Sequence, residues 1–173
     1  MSAKLENALV IPYNLKSQFE KFLVANGNSK ELDLNQILPF TGERTEVNLM
    51  NFWGIAENPI ISQTATLSHV DDQDTFTHMV YHFETESLSS EVVGALALAI
   101  CGNIEYYHFD HYGDFSHHRI YEFFEAKDGK NAFYEVKDDL TPVDNICQFL
   151  FGKGHEAHLE DSFYMLPFPA SGF

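Results

Sequence analysis

Residues 89–101 read SSEVVGALALAIC and contain the longest apolar run of the chain. Ser89 or Ser90 can cap a helix here, Glu91 falls in its first turn, and Gly102 can end it. The apolar positions leave this helix no polar face, and a helix that is apolar all round is buried. The segment therefore predicts a helix at the centre of the hydrophobic core.

Segments with the pattern of β-strands lie on both sides of this helix. Between Ile61 and His69, apolar and polar residues alternate, which is typical of a strand with one buried and one solvated face. Further strand-like segments, rich in aromatic residues and bounded by turn residues, are 75–85, 104–112, 117–126 and 131–138. We therefore expect an α+β fold with a largely antiparallel sheet of five or six strands and a buried central helix.

Flanking helices are expected towards both ends of the chain. A first helix is predicted from Asn14 to Gly27, because four apolar residues fall on one side of it: Leu15, Phe19, Phe22 and Leu23. A second, short helix is predicted over 29–38, before Pro39. Thr141 predicts the cap of a last helix, which Gly152 ends.

The domain organisation follows from these elements. Residues 1–151 are expected to form a single α+β domain, since neither an internal repeat nor a linker interrupts them. Residues 152–173 are rich in Gly and Pro, and we expect a tail that packs on the body or is mobile.

Asp128 and Gly129 predict a two-residue type I′ turn between the last two strands. With that loop, Phe123 faces Tyr134 and Glu122 faces Glu135. Like charges directly opposite each other destabilise a hairpin. The carboxylate pair could serve acid–base chemistry, hold a cation or receive a Lys or Arg of a partner, or the two side chains could diverge into water.

The charge of the chain is unusual in its amount and in its distribution. There are 26 Asp and Glu against 10 Lys and Arg, which gives a net charge of −16 with neutral His. Residues 45–118 contain eleven acids, no Lys or Arg, and seven of the nine histidines. We expect the negative charge of this segment to fall as the pH drops through about 6.5. Nucleic acids and anionic membranes are excluded as partners, because this surface would repel them.

Such an acidic surface has two interpretations. It can serve solubility alone, or it can be an electrostatic docking face for a cationic protein. In the second case the protein is a binding protein and not an enzyme. Its partner would be a basic protein, most concretely a nuclease-type toxin. The present protein would neutralise this toxin as an inhibitor or immunity protein, or it would mimic the charge of a nucleic acid.

The residues that would form this docking face come from the acidic segment and the last hairpin. They are Asp71, Asp72, Asp74, Glu84, Glu86, Asp110, Asp114, Glu122 and Glu135. The only tryptophan, Trp53, is a core residue if it is buried and an interface hot-spot candidate if it is exposed.

The histidines suggest a second function, a metal-dependent enzyme or metal-binding protein. His78 and His82 share one face of their strand, and His108 and Asp110 share a face of theirs. If the central helix is a crossover that makes the two strands neighbours, these four side chains could converge on zinc or a similar ion. Otherwise they are exposed or hydrogen-bonded strand residues.

A third possibility is a small-ligand-binding module in which an aromatic face of the sheet lines an apolar pocket. No serine lies in a nucleophile elbow and the glycines match no phosphate-binding loop, so neither a catalytic residue nor a cofactor is expected.

Targeting signals are also missing from the sequence pattern. The apolar run at 8–11 is shorter than the roughly 7–15 residues of a signal-peptide core, and the run at 92–101 is shorter than the ~20 residues of a membrane span. Two cysteines are too few for a disulfide-rich fold. We therefore expect a cytoplasmic protein with reduced thiols.

Overall fold

The computed structural model describes residues 5–61, 65–73, 75–84, 88–110, 116–127 and 129–139. Its strands are β1 (Leu5–Pro12), β2 (Leu23–Asn26), β3 (Ser29–Leu32), β4 (Ile60–Ile61), β5 (Thr66–Val70), β6 (Phe76–Glu84), β7 (Ile104–Asp110), β8 (Ser116–Glu125) and β9 (Ala132–Asp139). Its helices are α1 (Lys16–Glu20), α2 (Leu34–Ile37), α3 (Glu46–Trp53) and α4 (Ser90–Ile100), and a 3-10 turn covers Tyr13–Leu15.

Six strands form an antiparallel sheet in the order β5-β6-β1-β7-β8-β9, and β2-β3-β4 form a smaller one. In the larger sheet, β1 pairs with β6 on one side and with β7 on the other. The chain leaves β6, runs through α4 and enters β7, so α4 crosses over β1. The predicted α+β fold with an antiparallel sheet and a central helix is confirmed.

α4 is the predicted core helix. The Ser89 hydroxyl oxygen accepts a hydrogen bond from the Val92 amide at 3.3 Å, which satisfies one of the free donors of the first turn. Cys101 ends the helix in the left-handed conformation, with φ of 56°, and is exposed. A Cβ atom on Gly94 would lie 2.1 Å from the ring of Tyr134, so β9 can approach α4 closely only at a glycine.

β1 is buried on both faces of the sheet. Leu9 and Ile11 belong to the hydrophobic core on the α4 side, and Ala8 and Val10, on the opposite side, are equally inaccessible. A strand buried on both faces shows a continuous apolar run instead of an alternating pattern. This explains why residues 8–11 gave no strand signal in the sequence.

The predicted helices of the first forty residues are largely wrong. The helix expected from Asn14 to Gly27 is reduced to the 3-10 turn and α1, and its second half forms β2. Gly27, with φ of 58°, belongs to the turn of the β2–β3 hairpin, where Asn26 pairs with Ser29. The helix expected over 29–38 is divided into β3 and α2.

The last hairpin has the predicted register. Phe123 pairs with Tyr134 and Glu122 pairs with Glu135. The loop is wider than the predicted two residues, because the ladder is closed by a hydrogen bond from the Ala126 amide to the Asn131 carbonyl at 2.8 Å. The strand register is the same as predicted because the observed loop is longer than the predicted one by one residue on each side.

The predicted last helix from Thr141 and the tail 152–173 lie outside the described residues. Among the described helices, none combines the length and the apolar character needed to cross a membrane.

Candidate functional site

Four strands of the large sheet each carry an acidic residue near the same end of the sheet. The register places Glu6 directly opposite Glu84, and it places Asp110 opposite Leu5 on the other neighbour of β1. Asp139 follows on β9, opposite His118. We call this group the acidic end, defined by Glu6, Glu84, Asp110 and Asp139. By strand alternation, Glu6, Glu84 and Asp139 occupy positions on one face of the sheet, and Asp110 occupies a position on the other.

Basic side chains are scarce at this end. In the described part of these strand ends, Arg119 is the only Lys or Arg, and its Nε lies 2.8 Å from a carboxylate oxygen of Asp138. Since Arg119 already has this partner, it offers little compensation to the four residues of the acidic end.

Two of the neighbouring histidines, His82 and His108, contribute no positive charge at neutral pH. Burial lowers the pKa of His82 to about 4. Burial, together with the nearby His117 and Arg119, also lowers the pKa of His108 to about 4. These two rings therefore stay neutral well below the pH of about 6.5 expected for an ordinary histidine. His82 and His108 therefore add no positive charge beside the acidic end at pH 7.

The other predicted docking residues do not join this group. Asp71 and Asp72 are exposed in the turn before β6, at the far end of that strand from Glu84. The Asp71 carboxylate accepts hydrogen bonds from the amides of Gln73 and Thr75 at 2.8 and 3.0 Å, so it shapes the turn. Asp74, Glu86 and Asp114 lie outside the described residues.

Glu122 and Glu135 also lie apart from the acidic end, towards the loop of the last hairpin. The Lys137 Nζ atom is 2.7 Å from a carboxylate oxygen of Glu122, and Glu122 and then Glu135 raise the pKa of Lys137. The protein thus supplies its own cation to this carboxylate pair. Glu122 and Glu135 are therefore separate from the acidic end, and a docking face that contains all the predicted acids stays a prediction.

A second polar group, which the sequence analysis did not select, lies on the face of the sheet away from α4. We call it the histidine cluster: Glu105, His69, His78 and His118. The Nε2 atoms of His69 and His118 lie 2.8 and 3.1 Å from the two carboxylate oxygens of Glu105. The ring of His78 packs against that of His69 with 4.6 Å between centroids.

The backbone at His69 places its ring in this cluster. Leu67 faces the core, so strand alternation would direct His69 to the same side. Instead His69 adopts a left-handed conformation with φ of 59°, which is uncommon outside glycine and costs about 1 kcal/mol. The Ser68 hydroxyl lies 3.0 Å from Nδ1 of His69 and orients the ring towards Glu105.

The electrostatics of the histidine cluster favour an ionised carboxylate. Burial raises the pKa of Glu105, but hydrogen bonds from His118 and His69 outweigh burial and bring it to about 2. Burial and then His69 lower the pKa of His78, against an opposing effect of Glu105. The cluster therefore joins β5, β7 and β8 through a buried carboxylate. The sequence signal for the histidine cluster is the single acidic residue Glu105 within the aromatic strand segment IEYYHF at 104–109.

The predicted metal site is not formed as expected. β1 lies between β6 and β7, so the strands that carry His78, His82, His108 and Asp110 are not neighbours. The register also places His82 beside Ala8 and His108 beside Asn7, on opposite faces of the sheet. Among the side chains that the structure describes, no three from His, Cys, Asp and Glu could hold a metal ion.

Trp53 is a core residue, as one of the two interpretations expected. It is fully buried, and its indole N–H donates a hydrogen bond to the Leu38 carbonyl at 2.9 Å. It is therefore not an exposed anchor for a partner.

Comparison with known proteins gives no match: neither a protein family, nor a curated protein, nor a solved structure shows significant similarity to this chain.

Proposed function

We propose that this protein is a small acidic cytoplasmic binding protein that captures and neutralises a basic protein partner. The most concrete partner is a nuclease-type toxin, and this protein would be its inhibitor or immunity protein. Alternatively, this protein mimics the charge of a nucleic acid. The observation that carries this proposal is the acidic end, where the register places an acidic residue on each of four strands near the same end of the sheet.

Three features of the acidic end suit it to a basic partner. The register places the two acidic residues Glu6 and Glu84 opposite each other. The buried His82 and the partly buried His108 stay neutral and offer no counter-charge. The net charge of −16 attracts a basic protein over a distance of about one Debye length, which accelerates association.

The first test is capture followed by a salt gradient. The immobilised protein is exposed to lysate from its source, and bound proteins are eluted with increasing NaCl. A basic protein released at moderate salt is expected, because screening weakens an electrostatic interface. The eluted protein is then purified and its affinity is measured as a function of salt. Capture that does not depend on salt contradicts the proposal.

A matched pair of variants localises the contact. The first carries Glu6→Gln, Glu84→Gln and Asp110→Asn at the acidic end. The second carries Glu57→Gln, Glu125→Gln and Asp72→Asn at exposed positions elsewhere, and it loses the same charge. We expect the first variant to bind the partner about tenfold more weakly and the second to bind almost as well as the wild type. Equal loss in both would show that the acidic end is not the binding surface.

A further inference from the structure

The face of the large sheet away from α4 carries a second buried patch. We call it the outer patch, and the register with strand alternation places all of its members on this face: Ala8, Val10, Val80, His82, Tyr107 and His118. Each of these residues is at most 3% exposed. Tyr107 stacks on His118 with 4.2 Å between ring centroids and is completely inaccessible to solvent.

The described helices and the small sheet pack on the other side of the large sheet. Their buried residues belong to the same core as Leu9 of β1 and the residues of α4; examples are Phe19 of α1, Leu34 of α2, Leu49 of α3 and Ile61 of β4. The apolar members of the outer patch are buried outside that core. The elements on the α4 side therefore do not account for the burial of the outer patch.

Neighbouring side chains of the sheet do not account for it either. Phe124 lies on the same strand and the same face as His118, closer to the last hairpin, and stacks on Phe133 with 5.3 Å between centroids. Despite this stacking, Phe124 is partly exposed and Phe133 is 46% exposed. A ring on this face thus reaches the full burial of Tyr107 only when a further layer of the protein packs on it. Because these exposures are those of a single chain, that layer belongs to the same chain.

The C-terminal segment, residues 140–173, has the length and the starting point that such a layer requires. The other undescribed stretches have five residues or fewer and adjoin strand ends or turns, whereas Val10 and Val80 lie within their strands. The segment follows β9, whose last residue, Asp139, pairs with His118 of the outer patch. From β9 to β6 is a distance of about 19 Å, since strands are ~4.8 Å apart, and the segment can span it in any regular conformation.

The sequence of the segment also suits an apolar docking site. Residues 146–151 read ICQFLF and residues 163–168 read FYMLPF. Side chains of these types gain about 1.5–3 kcal/mol each when they are removed from water. The outer patch offers the apolar surface of β1, β6 and β7 on which they can be buried.

We propose that the outer patch is the docking site of the C-terminal segment, residues 140–173, which covers the face of the sheet away from α4. The large sheet is then enclosed between α4 on one face and this segment on the other. The inference does not depend on the proposed function, because it concerns a contact within one chain.

The test measures the reactivity of one thiol on each face of the sheet in the full chain. Cys101→Ser and Cys147→Ala remove the native thiols. Val10→Cys then reports on the outer patch, and Val93→Cys, in α4, reports on the opposite core. Both valines are 0% exposed, so both thiols should react slowly with a disulfide reagent such as DTNB.

Charges placed in the segment should expose only the outer patch. One variant carries Ile146→Asp with Leu150→Asp, and another carries Met165→Asp with Leu166→Asp. Burying the new carboxylates is costly, so a segment that covers the patch detaches from it. We expect at least one of these variants to increase the reaction rate of Val10→Cys about a hundredfold and to leave the rate of Val93→Cys unchanged.

A matched control introduces the same charges at polar positions of the segment, with Asn145→Asp and Gln148→Asp. It should leave both thiols protected. The proposal is overturned if Val10→Cys stays protected in both apolar variants, or if the polar control exposes it to the same extent.

A cross-linking measurement decides the case in which the apolar variants unfold and expose both thiols. The photoreactive analogue p-benzoylphenylalanine replaces Phe149 or Phe163 in the full chain, and mass spectrometry identifies the cross-linked residues. Phe52, a partly exposed residue of α3, is replaced in the same way as the control. We expect at least one of the first two positions, but not the control, to cross-link to the outer patch. Cross-links only to the α4 side, or none within the chain, overturn the proposal.

Discussion

Glu105 shows how one buried residue can matter more than many exposed acids. The imidazole rings of His69 and His118 both contact its carboxylate, and the side chain of His118 is almost completely inaccessible to solvent. Removing one member of a buried, hydrogen-bonded pair leaves the other member without its partner in a medium of low dielectric constant, which is costly. The histidine cluster is therefore expected to stabilise the sheet on the face away from α4.

We predict that Glu105→Gln destabilises the protein by about 3 kcal/mol at pH 7, measured as the free energy of unfolding in urea. Glu125→Gln removes an exposed carboxylate from β8, the strand next to β7, and serves as the control. It should change the free energy of unfolding by less than about 0.5 kcal/mol. If both variants lose the same free energy of unfolding, the histidine cluster does not stabilise the protein more than an exposed carboxylate does.

The same variant has a defined pH dependence. The pKa of Glu105 is about 2 in the folded protein, against ~4.3 for a glutamate in an unfolded chain. A lowered folded pKa means that the ionised carboxylate contributes stability above about pH 4.3, and that this contribution is lost as the pH falls towards 2. The stability difference between the wild type and Glu105→Gln should thus be smaller at pH 3 than at pH 7. A difference that grows on acidification would contradict this.

The candidate site was only partly predictable at the level of residues. The sequence selected Glu84 and Asp110 for the predicted docking face, and the register places both near the same end of the sheet. It did not select Glu6, because the strand that carries this residue was not recognised. It also did not select His69, because strand alternation assigns that position to the other face and only a left-handed backbone reverses it.

Among the elements, those with a local signal were predicted and those that depend on distant packing were not. α4, β6 and the β8–β9 hairpin have clear apolar patterns or turn residues close by. β1 has none, because both of its faces are buried. The helical spacing of apolar residues that begins after Asn14 continues to Leu23. In the structure, however, the chain from Leu23 onwards forms β2 of the small sheet.

α3 shows that a signal can be present and still be overlooked. Thr45 caps this helix by accepting a hydrogen bond from the Asn48 amide at 3.1 Å, and Gly54 ends it in the left-handed conformation. Both residue types are favoured at these positions. The exposed Val47 and Met50 obscure the amphipathic pattern, so the caps were the only reliable evidence.

The cap of α4 gives a prediction for the element as a whole. Ser89→Ala removes the acceptor of the Val92 amide, and we expect a loss of about 1 kcal/mol in the free energy of unfolding. Ser17→Ala, which removes an exposed hydroxyl bonded only to the neighbouring Gln18 side chain, is the control and should be nearly neutral. If Ser89→Ala is equally neutral, solvent replaces the cap and the start of α4 is less important than its packing.

For the whole molecule, the strand order was the part that the sequence could not supply. The predicted metal site requires that the helix between β6 and β7 joins neighbouring strands. The insertion of β1 between them separates the two sets of histidines. Strand order depends on which strands are far apart in the sequence but adjacent in space, and no local pattern encodes that.

The net charge predicts how the folded molecule responds to salt. A charge of −16 on a chain of this size repels itself in the compact state, and added salt screens this repulsion. We expect the Tm to rise by several degrees between about 10 and 200 mM NaCl, measured by differential scanning calorimetry. The multiple variant that neutralises the acidic end should show a smaller rise. A Tm that falls with salt would show that attractive ion pairs outweigh the repulsion.

The position of β1 also shapes how the chain is made in the cell. Val10 pairs with Val80 on one side and with Glu105 on the other, so β1 leaves the ribosome long before either of its neighbours has been translated. Until then its apolar run has no sheet to join and remains exposed to other nascent chains. Translation speed and access to chaperones during this interval should therefore decide how much protein matures, even where the finished fold is stable.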